Sequence, residues 1–140
     1  MNKILFLDAL PFNSSIQVGS QKYARLFKKN GFDVFCLSRY INVFKFIRRD
    51  AIDIELISNW KKGVQQSPEG IFYYTPFCLI PYLNLPILDS LFCVHHSLKF
   101  SIPSIKKVLA KMDFCRVDMV FINNIVLSPI LKIINPKLLS

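Results

Sequence analysis

Apolar residues fall in short unbroken runs separated by stretches of helical period, and the chain opens on the clearest case. Ile4 to Leu7 is an apolar run closed by Asp8, the pattern of a strand buried on both faces of a parallel sheet. Such a strand needs covering helices. One follows, because Tyr23, Leu26 and Phe27 stand at i, i+3 and i+4 with Lys22, Arg25, Lys28 and Lys29 on the remaining faces. Asn30-Gly31 marks its C-terminal stop. Phe32 to Ser38 is a second apolar strand, so the opening predicts a βαβ unit with a right-handed crossover.

Beyond Arg39, the residues Tyr40, Val43, Phe44 and Ile47 keep a helical period and predict a helix whose exit Asp50 and Asp53 bracket. Ile54 to Ile57 reads as a third strand and Asn59 to Gly70 as a polar loop. In that loop Trp60, the chain's only tryptophan, is expected to be a packing anchor rather than a sugar-stacking platform. From Ile71 to Val94 the one charged residue is Asp89. A membrane span there is countered by Pro76, Pro81 and Pro86, which interrupt the continuous helix a crossing requires. The segment predicts a strand at Ile71 to Tyr74, a Pro-punctuated link, and a helix from near Pro86 past His95, with aromatic residues suited to a membrane interface.

Ser101 to Ser104 opens a further helix, with Pro103 at its first position and Ile105, Val108, Leu109 and Met112 as its stripe. Val117 to Asn124 repeats the buried-strand pattern, and Ser128 to Ile134 predicts a short helix before Lys137-Leu138-Leu139. Strands alternating with helices define an α/β fold, a parallel sheet with helices on both faces. One domain over residues 1–140 is the natural count.

Charge changes the picture of partners. With 18 basic and 9 acidic residues the net charge is +9, which favours an anionic partner such as lipid headgroups or phosphorylated substrates. Lys106, Lys107 and Lys111 are solvated by default and lipid-facing in the sharper reading. Nucleic acid ranks last, since no binding motif accompanies the scattered charge. Cys36, Cys78, Cys93 and Cys115 form no C-x-x-C pair, so buried, reduced thiols in a cytoplasmic protein are expected. His95 and His96 point about 100° apart on a helix and lack companion ligands, so no metal is expected there.

Candidate chemistry concentrates in the loop Leu10 to Ser20, which joins the end of the first strand to a helix N-terminus. Ligands of open α/β sheets sit at that edge, and long polar loops there are usually functional. Asn13, Ser14, Ser15, Gln17, Gly19, Ser20 and Gln21 are small or able to hydrogen-bond. The alternative is a tolerated surface insertion. Asn123 and Asn124 are expected at the same edge. A dinucleotide-binding dehydrogenase and a P-loop hydrolase are disfavoured, because Gly19 stands alone and no Walker lysine pattern occurs.

The run Lys3 to Phe12, then Gly19-Ser20-Gln21, Leu26 to Gly31 and Asp33 to Ser38, resembles the start of a family 4-like glycosyltransferase N-terminal domain, and Val117 to Pro136 resembles a later part of it. Where that family often shows two glycines, this chain has Val18-Gly19. The resemblance implies a Rossmann-like parallel sheet with helices on both faces, the acceptor-side N-terminal half of a GT-B fold. It implies transfer of a sugar from a nucleotide-sugar donor to a polysaccharide or lipid-linked acceptor, with no required metal. Asn13, Ser14, Gly19, Ser20 and Gln21 would border the substrates, and Asn123 and Asn124 would line the opposite wall. No catalytic residue is assigned, and the two histidines do not inherit the family's histidine role. The C-terminal donor-binding domain is expected to be absent from these 140 residues, leaving a chain inactive alone or one partner of a second glycosyltransferase domain. The alternative from another class is a non-catalytic membrane-docking or partner-binding subunit, peripheral on the inner face of the membrane.

Overall fold

In the computed structural model, residues 2–41, 50–78, 104–124, 127, 130, 131 and 134 are described. Strand β1 (Lys3–Leu7) occupies the interior of the sheet, with Ile4, Leu5, Phe6 and Leu7 all fully buried. Its side chains alternate between two cores. Leu5 and Leu7 enter one with Phe35 and Leu37, while Ile4 and Phe6 enter the other with Val34 and Cys36. A run of four apolar residues is therefore what a strand covered on both sides demands, and each such side chain is worth about 1.5–3 kcal/mol of burial.

Helix α1 (Gly19–Lys29) covers the Ile4 and Phe6 face, and strand β2 (Asp33–Leu37) returns parallel to β1. The expected helix stripe needs correction. Ser20, Gln21 and Ala24 are the buried face, with Phe27 packed against that core, whereas Tyr23 and Leu26 are 53% and 55% exposed. Small residues at the contact let the helix axis approach the sheet, and the larger Tyr23 moves aside to stack on Phe121 at 6.0 Å. The Asn30-Gly31 stop forms as a Schellman motif: the Gly31 amide donates to Lys28 O at 3.1 Å and Phe32 N–H to Phe27 O at 3.2 Å. Gly31 adopts φ 86°, and the Phe27 and Phe32 rings meet edge-on at 5.4 Å.

Helix α2 (Ala51–Lys62) replaces the strand expected at Ile54 to Ile57 and takes in Asn59 and Trp60. The period that governs it is Ile52, Leu56, Ile57 and Trp60, which pack with Ile41 and Phe77, while Ile54 faces solvent. Asp50 is the N-cap of this helix, accepting the Asp53 amide at 2.8 Å, and Asp53 reciprocates toward Asp50 N at 3.4 Å. Asp50→Ala is expected to cost about 1 kcal/mol, the usual value of an N-cap, measured as a lowered urea midpoint with unchanged slope. Trp60 lies 4.9 Å from the Phe77 ring.

Strands β3 (Gln65–Gln66) and β4 (Phe72–Tyr74), helix α3 (Ile105–Lys111) and strand β5 (Met119–Ile122) complete the described elements. The sheet order is β3-β4-β2-β1-β5, parallel except for β3, which runs antiparallel to β4. It is a Rossmann-like α/β fold with α1 and α3 on opposite faces. Helix α3 starts at Ile105 with Ser104 as its N-cap, and Ile105, Val108 and Leu109 are its buried stripe; the expectation placed on Pro103 lies outside the described residues. Strand β5 is parallel to β1 as expected but lies at the edge rather than buried on both faces, leaving Met119, Phe121 and Ile122 exposed. Leu127, Ile130 and Ile134 are buried on the α3 side. The helix expected after Arg39 does not begin there: Tyr40 is not helical, and Ile41 pairs in parallel with Phe77, its amide on Pro76 O at 2.9 Å. The rest of that stretch, 42–49, the helix expected at 86–95, the histidine pair, Cys93 and Lys137 to Leu139 lie outside the described residues. Among the described residues no helix is long and apolar enough to cross a membrane.

Candidate functional site

Each of the four parallel strands runs one residue past its apolar stretch into a polar side chain. Leu7 is followed by Asp8, Leu37 by Ser38, Tyr74 by Thr75 and Ile122 by Asn123. Because Leu7 is in register with both Leu37 and Ile122, and Leu37 with Tyr74, these four residues stand in a row along the carboxyl edge of the sheet. The ladder continues through them: Asp8 N–H donates to Leu37 O at 2.8 Å, Ser38 N–H to Tyr74 O at 3.1 Å and Asn123 N–H to Leu7 O at 2.8 Å.

Their side chains are joined as well. Asp8 is 6% exposed and gathers three donors: Ser20 Oγ–H to Oδ2, and the Ala9 amide at 2.8 Å with Asn123 Nδ2 at 3.1 Å to Oδ1. Ser38 and Thr75 share a buried hydroxyl hydrogen bond at 2.7 Å. An ionised carboxylate offers about four lone-pair sites, so Asp8 keeps acceptor capacity for one further donor. Its negative charge lies beside the first turn of α1, where the helix dipole would otherwise attract an anion. The position therefore favours a hydroxyl or cationic ligand group over a phosphate. Burial first, and the Asp8 charge second, push the Cys36 thiol up, which makes it an inert packing group and not a nucleophile. Burial likewise raises Cys78, whereas Cys115 is partly exposed rather than buried.

The loop ahead of α1 borders this row, and most of its polar groups are spent in holding its shape. Asn13 and Asn59 exchange amide hydrogen bonds at 3.1 and 2.8 Å. Glu55 accepts both the Ser14 and Ser15 hydroxyls at 2.9 Å. Gln21 is buried, donating to Pro11 O at 3.0 Å and accepting the Val18 amide at 3.1 Å. Arg25 lies over the buried Phe12 ring at 5.0 Å and donates to Gln17 Oε1 at 3.1 Å. The loop is thus a braced platform between α1 and α2.

Of the residues singled out in the sequence, Ser20 and Asn123 converge on Asp8, and Asn124 sits beside them with its amide on Leu7 O at 3.1 Å. Asn13, Ser14 and Gln21 serve the loop itself, and Gly19 borders open space. Asp8, Ser38, Thr75 and Glu55 were not singled out. For the first three the available signal was a polar residue ending each apolar run; Glu55 lay in a stretch read as a strand. Among the described residues no cluster of three or more His, Cys, Asp or Glu could hold a metal ion.

The Ser15 and Ser14 hydroxyls hold the Glu55 carboxyl below the usual glutamate range. A depressed folded value means that this contact stabilises fully above the ordinary pKa of about 4.3 and is lost as pH falls through the lower folded value. The protection of the Ser15 amide, whose N–H points at Glu55 at 3.4 Å, is expected to drop relative to its intrinsic exchange rate across that fall and to lose this pH step in Glu55→Gln. NMR-detected hydrogen exchange checks it. Comparison with protein-family models, with curated proteins and with solved structures returns no match.

Proposed function

We propose that this chain is the acceptor-side domain of a sugar transferase that moves a sugar from a nucleotide-sugar donor to a polysaccharide or lipid-linked acceptor, inactive without a donor-binding domain. The observation that supports the reading is the polar row itself: a carboxylate, two hydroxyls and a carboxamide side by side on a rigid strand edge, with Ser20 beside them. Vicinal sugar hydroxyls need such alternating acceptors and donors, set on elements that do not rearrange. In this reading Asp8 and Asn123 receive an acceptor hydroxyl, and the donor's phosphates are held by the other domain, away from the Asp8 charge. No metal is required.

Saturation-transfer NMR with a panel of neutral oligosaccharides tests it. Weak binding is expected, reduced about 10-fold in Asp8→Asn and in Asn123→Ala, the value of one hydrogen bond to a charged group. Absence of transfer to every sugar, or equal transfer in both variants, sinks the reading. A second reading, a non-catalytic docking subunit, draws on the exposed apolar edge formed by Met119 and Phe121 with Tyr23. In that case substitution at Phe121 abolishes partner binding and substitution at Asn123 does not.

A further inference from the structure

A cavity of about 640 Å³ opens on the α3 side of the sheet, between α3 and the β3–β4 edge. Its apolar lining includes Phe72, Tyr74, Val108 and Met112, and its polar lining includes Gln65 and Gln66. Lys107 and Lys111, one helical turn apart, also line it, and no carboxylate does so among the described residues. Neither lysine forms an ion pair among the described residues. Two lysines in one lining with no carboxylate among its described residues favour an anion over a cation there. Tyr74 lines the cavity as well, and its hydroxyl is buried with no hydrogen-bond partner among the described residues. Burial pushes that phenol up to about 12, so it stays a donor at neutral pH. A volume of this size matches small-ligand sites, which combine an apolar lining with a few polar groups.

We propose that this cavity binds a small amphiphile carrying a phosphate monoester, its head group against Lys107 and Lys111 and its apolar body along Phe72, Val108 and Met112. The cavity lining shares no residue with the polar row, and the proposal does not depend on the sugar reading. Charge complementarity selects the head group, because the chain's net charge of +9 includes these two lysines without a compensating acid in the lining. The aliphatic and aromatic walls select the body. Phosphate monoesters with apolar tails occur both as free molecules and as lipid headgroups, so both sources are tested.

Calorimetric titration of the whole chain with octyl phosphate below its micelle concentration is expected to give one site with Kd on the order of 0.1–1 mM. Octyl glucoside and inorganic phosphate, each carrying half of the chemistry, are expected to bind about 10-fold more weakly or not at all. The exposed pair Lys107→Gln with Lys111→Gln is expected to weaken octyl phosphate about 10-fold while leaving the urea midpoint in place. Flotation with phosphatidic acid vesicles then assigns the source: lysine-dependent flotation places the phosphate on a membrane, and calorimetric binding without flotation makes it a free ligand. The proposal is overturned if wild-type protein shows no octyl phosphate heat, if octyl glucoside binds equally, or if the double lysine variant binds unchanged.

Discussion

Asp8→Ala is expected to lower the unfolding free energy by about 3 kcal/mol and, under the proposed function, to abolish sugar binding. The carboxylate is the common acceptor for the Ser20 hydroxyl, the Ala9 amide and the Asn123 carboxamide, and truncation leaves all three without it. Leaving a buried donor unpaired costs about 1–3 kcal/mol, and relaxation toward solvent at the rim keeps the sum near the lower end. The damage is local, because the β1 to β5 register is also held at its other end, where the Lys3 amide donates to Asp118 Oδ2 at 2.7 Å and Asp118 N–H to Lys3 O at 2.9 Å. Asp8→Asn retains an acceptor oxygen but turns an NH2 toward one group of donors, so roughly half the loss is expected. Urea denaturation read by Trp60 fluorescence measures both. A loss under about 1 kcal/mol for Asp8→Ala would mean that the three donors find other partners and that the row does not organise the edge.

Phe35→Ala is expected to be the most damaging single change among the described residues, at about 3–5 kcal/mol. Phe35 is fully buried on β2 and its ring meets Phe114 at 5.2 Å, tying the sheet to the turn after α3. Lys3 in turn places its ammonium 5.9 Å from the Phe114 ring, so the cavity left by truncation adjoins a cation and collapses poorly. Leu26→Ala is the matched control. The residue is apolar and helical but largely exposed, and a change within about 0.5 kcal/mol is expected in the same denaturation experiment. Equal losses at the two positions would overturn the burial assignment of α1.

These two residues show what could be read in the sequence. Continuous apolar runs announced β1, β2, β4 and β5; for β1 and β2 the reason is burial between helices, which leaves no polar face to alternate with, whereas β5 carries its apolar run at the exposed edge of the sheet. Asn30-Gly31 announced the end of α1 through a backbone requirement that few residue types meet. Periodicity failed where the window was short: Ile54 to Ile57 fits a strand over four residues and a helix only when Ile52, Trp60 and the Asp50 cap are included. Tyr23 and Leu26 misled because large apolar residues were weighted over the small ones that allow close approach to a sheet. At the site, the nearness of Ser20 to the asparagines was legible because both follow parallel strands at the carboxyl edge of the sheet. The roles of Asn13, Ser14 and Gln21 were not, since their partners Asn59, Glu55 and Pro11 become neighbours only after folding.

The place of β1 between β2 and β5 has a consequence for biosynthesis. Its second neighbour is encoded about 115 residues downstream, as the Asp8 to Asn123 separation shows. At translation speeds of about 5–20 residues per second, the nascent chain carries one bare edge of its most apolar strand for roughly 6–23 s. Until β5 leaves the ribosome that edge is a template for mispairing, so yield in the cell depends on chaperone capacity more than final stability suggests.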